Sequence, residues 1–178
     1  IGDWPQWWMF DSFKNIRAGD CHGDIYYWVI ISLASYIKVT GDLSILNEKV
    51  PYFEGQELFT VNEHMECLIK MIKDSYIGST ALVPFGGGDW NDSLQPVNED
   101  LAKRLISSWT VQMNFQAFSE YAEVYAKAGY SDKAQALSKT AENIKSDFNK
   151  YLIKDGVVAG YGYVQDDGSI SVLLHPSD

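Results

Sequence analysis

Seven consecutive residues, Gly86-Gly87-Gly88-Asp89-Trp90-Asn91-Asp92, form a dense packet of reactive and ligand-binding groups. Three glycines in a row free the backbone for positive φ and for close approach to a ligand. Pro84 and Pro96 flank the stretch, so it is expected to be a loop between two helical regions. The chemistry on offer is proton transfer. Cleaving a glycosidic bond needs a proton delivered to the leaving oxygen, and a carboxylic acid with a raised pKa can deliver it. Asp92 is the choice for that acid, because burial against the indole of Trp90 would raise its pKa by desolvation. Asp89 and Asn91 could orient a sugar hydroxyl or brace the loop through turn hydrogen bonds. A purely structural turn is the competing reading. The stretch lacks the alternating ligands and terminal Glu of an EF-hand, and the Lys-Ser/Thr ending of a phosphate-binding P-loop.

The elements that must position this loop read as mostly helical. Residues 1–23 show no period; Trp4, Trp7 and Trp8 are expected in a loop on a rim. Asp20 and Asp24, just ahead of an apolar helix at 25–40, can cap it or favour its positive end. That helix is apolar nearly all round, which predicts burial on every side. Gly41 ends it, and a short helix is expected over 42–49, before Pro51. Thr60-Val61-Asn62-Glu63 is a capping box, opening a helix to about residue 73 with Met65, Leu68, Ile69 and Ile72 on one face. His64, in its first turn, reads as a solvent-facing or cap-adjacent residue. After the loop, an apolar stripe (Leu101, Leu105, Trp109, Met113, Phe118, Tyr121, Val124, Tyr125) predicts one long helix over 99–127. A turn at Gly129-Tyr130-Ser131-Asp132 and a helix over 133–152 complete an antiparallel hairpin. Strands over 157–164 and 169–174 then form a β-hairpin.

Composition sets the outer limits. With 178 residues, 46% of them hydrophobic, the chain can bury a real core. A formal charge of −10 argues against nucleic acid and against an anionic membrane as partners. The apolar run at 25–34 is too short to span a bilayer. Two cysteines, Cys21 and Cys67, make neither a disulfide framework nor a metal cluster, and a cytoplasmic setting is the default. The chain opens at Ile1 without an initiator Met and is expected to be a piece of something longer. Eleven Tyr, eight Phe and six Trp suit stacking on pyranose rings as well as an ordinary core.

The glycine-rich stretch resembles the signature of the inverting disaccharide phosphorylases of glycoside hydrolase family 94. His22-Gly23-Asp24 before the apolar helix, then Thr40-Gly41-Asp42 and Val50-Pro51-Tyr52-Phe53, fall in that family's order and approximate spacing. The resemblance implies an all-α fold, a partial (α/α)6 barrel of antiparallel helix pairs with a small C-terminal β-hairpin. Residues 1–178 would then be a fragment of one catalytic domain, incomplete at both ends and inactive alone. It also implies Asp92 as general acid, Trp90 as a sugar-contacting aromatic, and Arg17 and Asp24 as holders of the non-reducing-end sugar. Asp89 and Gln95 are counted with them as substrate-binding. The family's usual Gly-Met-Asn continuation is replaced by Ser93-Leu94-Gln95-Pro96. With Trp4-Pro5-Gln6-Trp7 and Leu174-His175-Pro176, this looks more like the 1,2-β-oligoglucan phosphorylases and the related part of cyclic β-1,2-glucan synthases.

A phosphorylase needs only one carboxylic acid, because inorganic phosphate is itself the nucleophile. The expected partners are therefore an oligosaccharide and phosphate, with no cofactor and no metal, and the parent is expected to be a homodimer. The phosphate ligands are expected beyond residue 178, with His175 packing a turn beside Pro176. Two alternatives stand: an inverting hydrolase with Asp20 or Asp89 as base, and a non-catalytic helical scaffold built on the 99–152 hairpin.

Overall fold

Residues 4–17, 23–89, 91 and 98–178 are described by the computed structural model. Its core is helical. Helix α1 (Ile25–Thr40) buries Tyr27, Ile30, Ile31, Ala34 and Ile37, and Gly41 closes it in the left-handed conformation (φ 73°). The expectation of burial on every side fails. Trp28, Tyr36 and Val39 are exposed, Val39 at 86%, so the helix has one packed face and an outward side where these three sit among Ser32, Ser35 and Lys38. The expected helix over 42–49 reduces to a single 3-10 turn, Ser44–Asn47. Asp42 Oδ1 accepts the Ser44 backbone N–H there (2.9 Å), and the chain then extends into β1 (Lys49–Pro51), paired with β2 (Leu58–Thr60).

Helix α2 (Val61–Asp74) has its full capping box: the Glu63 N–H donates to Thr60 Oγ1 (3.1 Å), and the Thr60 N–H donates to Glu63 Oε2 (2.7 Å). Satisfying both orphan donors at once is what makes this boundary sharp. Helices α3 (Glu99–Arg104), α4 (Ser108–Lys127) and α5 (Ser131–Tyr151) follow, so the single helix expected over 99–127 is broken. The break is a strand, β3 (Leu105–Ser107), buried at all three residues. Leu105 and Trp109 keep the helical spacing across it, which is why periodicity misses it. The gain that stabilises β3 is nonlocal: it pairs antiparallel with a strand near the C-terminus.

Helices α4 and α5 form the expected antiparallel hairpin. Phe118, Tyr121 and Val124 of α4 meet Leu137 and Ile144 of α5, and α1 and α2 add Ile30, Ile37, Leu68 and Ile72. After α5, β4 (Ile153–Lys154) pairs with β5 (Val157–Val158). The expected C-terminal hairpin is present but shorter, as β6 (Tyr161–Val164) and β7 (Ile170–Leu173). It belongs to a three-stranded sheet of order β3-β6-β7. The chain is thus mainly α but not all-α. Among the described residues, no helix is long and apolar enough to cross a membrane.

Candidate active-site loop

The glycine stretch is held by backbone hydrogen bonds before any side chain is counted. The Phe85 N–H donates to the Leu105 carbonyl (2.7 Å) and the Gly86 N–H to the Ala102 carbonyl (2.9 Å), which docks the loop on β3 and α3. Gly86 and Gly88 have φ of 62° and 127°, values that favour glycine. The Gly23 N–H donates to the Gly88 carbonyl (2.8 Å). A Cβ on Gly23 would stand 2.8 Å from the Phe85 carbonyl oxygen. Gly23 and Gly88, from two stretches singled out in the sequence, therefore meet through their backbones, and glycine at 23 is required for the approach.

Asp89 is fully buried and both its oxygens are engaged. Oδ1 accepts the Asn91 backbone N–H (2.9 Å) and Oδ2 accepts the Ser107 hydroxyl (2.6 Å). This is bracing geometry. The Asn91 side chain lies beside the Tyr161 hydroxyl, and both residues line the same pocket. Burial pushes the Tyr161 phenol above its ordinary pKa, the Asp89 carboxylate adds to that, and the Asn91 side chain opposes it. The Tyr161 ring meets Phe85 edge-on at 5.8 Å. An open pocket of about 360 Å³ lies alongside, lined by Asp89, Asn91, Trp109, Gln112, Gly160 and Tyr161 among others.

The other sequence-picked residues fall as follows. Asp24 is buried at the N-cap of α1, and its side chain makes no capping hydrogen bond there. Arg17 is exposed, with its guanidinium 4.1 Å above the Phe53 ring, and its backbone bridges Trp8. Phe53 lines a second pocket, of about 310 Å³, with Trp4, Tyr52 and His64. The two pocket linings share no residue. Asp92, Trp90 and Gln95, like Asp20, lie outside the described residues.

His64 sits in the first turn of α2 beside the cap, as one of the two expectations had it, and does not face solvent. It is buried, its Nε2 lies 3.0 Å from the Val50 carbonyl, and its ring lies 4.1 Å from Tyr52. It ties β1 to α2. His175 packs a turn as expected: Nε2 pairs with the Lys154 carbonyl (2.9 Å) and Nδ1 accepts the Ser177 N–H (3.1 Å). Ser107 and Tyr161 were not singled out by the sequence. The only local signal for Ser107 is that Ser107-Ser108 interrupts an apolar stripe. Among the described residues, no group of three or more His, Cys, Asp or Glu could share a metal ion.

A loop braced from a helix start and from a sheet, with carboxylates on it and an open pocket beside it, suits acid catalysis on a bound ligand. Residues 9–172 match the catalytic domain of the glycosyl hydrolase 94 superfamily, and the chain belongs to that family. It is 36% identical to the 1,2-beta-oligoglucan phosphorylase of Listeria innocua over 99% of its own length and 16% of that protein's. It is 30% identical to the N,N'-diacetylchitobiose phosphorylase of Vibrio furnissii over 72% of its length and 15% of that enzyme's. It is 29% identical to the cyclic beta-(1,2)-glucan synthase of Rhizobium meliloti over 68% of its length and 5% of that protein's. The chain thus spans about a sixth of the length of the first two relatives.

Proposed function

We propose that this chain carries the general-acid loop of an inverting phosphorylase acting on a β-1,2-linked gluco-oligosaccharide. The observation that carries this reading is the docking of residues 85–89 and 91, whose only carboxylate is turned inward to brace them, leaving Asp92 as the residue for proton transfer. In the proposed step, inorganic phosphate attacks the anomeric carbon from the face opposite the leaving sugar. The C–O bond to that sugar breaks, and its oxygen takes the proton of Asp92. The products are a shortened saccharide and glucose 1-phosphate with inverted configuration. General acid catalysis of this kind contributes roughly 10²–10⁴ in rate. Trp90 and Gln95 contact substrate, and Arg17 and Asp24 hold the non-reducing-end sugar.

The phosphorylase names of the relatives support the reaction class. The β-1,2 linkage is supported by the oligoglucan phosphorylase and the cyclic glucan synthase. The full occupation of Asp89 by Ser107 and Asn91 weighs against its use as a hydrolytic base. We further propose that residues 1–178 are part of an (α/α)6 barrel and do not turn over alone. The exposed Trp28, Tyr36 and Val39 of α1 are apolar surface on which further helices could pack.

The test is to incubate the intact protein with β-linked glucose disaccharides, with and without phosphate. Glucose 1-phosphate formed only with phosphate, and best from the β-1,2 linkage, is the expected result. Free glucose released without phosphate would replace phosphorolysis by hydrolysis. Unaltered function in Asp92→Asn would favour the scaffold.

A further inference from the structure

Ser107 and Tyr161 sit directly opposite each other in the β3–β6 pairing. Residues opposite in an antiparallel pair project from the same face of the sheet. Here that face meets the glycine loop. Ser107 donates its hydroxyl hydrogen to Asp89 Oδ2, and Tyr161 engages the Asn91 side chain. The two contacts fall on alternate residues of the loop, either side of position 90 and immediately before position 92. Asp89 also turns back on the Asn91 N–H, so the three contacts share two loop residues. Both clamp residues are anchored in turn. Ser107 is 1% exposed and caps α4 by accepting the Thr110 N–H (3.4 Å), while Tyr161 packs edge-on against Phe85.

We propose that Ser107 and Tyr161 form a two-point clamp that positions the acid of the proposed phosphorolysis, acting through Asp89 and Asn91. The inference rests on Asp92 being that acid. One attachment point would leave the chain free to pivot, whereas contacts at Asp89 and Asn91 together fix the orientation of that part of the loop against the sheet. Proton transfer depends steeply on placement: a misplacement of about 1 Å can cost roughly 10² in rate. A clamp of this kind acts on kcat and leaves the binding of saccharide and phosphate alone.

The experiment is steady-state phosphorolysis by the intact protein carrying Ser107→Ala, Ser107→Thr, Tyr161→Phe or Asp92→Asn, and by the Ser107→Ala/Asp92→Asn pair. Tyr161→Phe removes only the hydroxyl and keeps the ring on Phe85, so it carries the test even if Ser107→Ala fails to fold. Ser107→Ala and Tyr161→Phe are expected to lower kcat roughly 10–100-fold with KM for both substrates within about twofold. Ser107→Thr, which keeps the hydroxyl, should recover most of the loss. In the Asp92→Asn background, Ser107→Ala should cost about twofold or less, because the group it positions is gone. Wild-type kcat in Tyr161→Phe or in a folded Ser107→Ala, with Asp92→Asn severely impaired, would overturn the clamp and leave the acid in place. An undiminished Ser107→Ala effect in the Asp92→Asn background would do the same. Wild-type turnover in Asp92→Asn would overturn the acid, and the clamp with it.

Discussion

The α4–α5 hairpin and the glycine loop are held by opposite means. The hairpin is held by area: Phe118, Tyr121 and Ile144 are all fully buried, and the burial of apolar surface is non-directional. The loop is held by a few directed bonds, from Phe85 and Gly86 to β3 and α3, from Gly23 to Gly88, and from Ser107 to Asp89. Area stabilises many nearby arrangements almost equally, while directed bonds select one. A segment whose atoms must be placed within a fraction of an ångström needs the second kind. The lesson is that stability and placement are separable in this chain and should respond to different substitutions.

The strongest way to break the comparison is in the hairpin. Phe118→Ala should cost about 3–5 kcal/mol in urea unfolding of the intact protein, with kcat of the surviving folded fraction little changed. Next is the loop contact. Gly23→Ala places a Cβ 2.8 Å from the Phe85 oxygen and 3.2 Å from the Gly88 oxygen, both backbone atoms that cannot swing aside. It should cost about 1–3 kcal/mol and, unlike Phe118→Ala, lower turnover out of proportion to stability. A loop variant that lost stability alone would erase the distinction.

Alkaline pH probes the area-held region. Burial raises the Tyr76 phenol from 10 to about 12, and pushes Tyr121 and Tyr125 up as well. Below pH 10 these groups are neutral whether the chain is folded or not. Above it the unfolded chain loses protons that the folded chain keeps, so stability falls as pH rises from about 10 towards 12. Thermal unfolding followed by circular dichroism should show this, and Tyr76→Phe should flatten it by on the order of 2 kcal/mol. Removing the capping box with Thr60→Ala should cost about 1 kcal/mol with turnover unchanged. Smallest is the exposed Lys103–Glu99 ion pair on α3, where Lys103→Ala should cost less than about 0.5 kcal/mol.

Much of the scaffold was legible because its signals are local. The Thr60–Glu63 capping box, the left-handed Gly41, the turn at Gly129 and the apolar stripes of α2, α4 and α5 each lie within a few residues of the structure they produce. The loop was legible for the same reason, as glycines followed by carboxylates. What escaped was nonlocal. Leu105, Ile106 and Ser107 look helical in their own neighbourhood and become a strand only because Tyr163, Gly162 and Tyr161 come to pair with them. The outward face of α1 escaped because apolar residues read alike whether or not a neighbour covers them. The burial of His64 escaped because the Val50 carbonyl that takes its ring nitrogen comes from β1, outside its helix.

The residue types and their order therefore determined, without any structure, the ends of α1 and α2, the turn between α4 and α5, and the place of the glycine-and-carboxylate stretch. They also carried the family resemblance that the match over residues 9–172 bears out. Only the tertiary structure decided that Asp89 faces inward, that Gly23 admits the loop, and that Ser107 and Tyr161 stand side by side to hold it. The reason is physical. Caps, turns and amphipathic stripes are settled by interactions within a turn or two of chain, while a directed bond between β3, β6 and the loop exists only once segments far apart in sequence have been brought to within 3 Å.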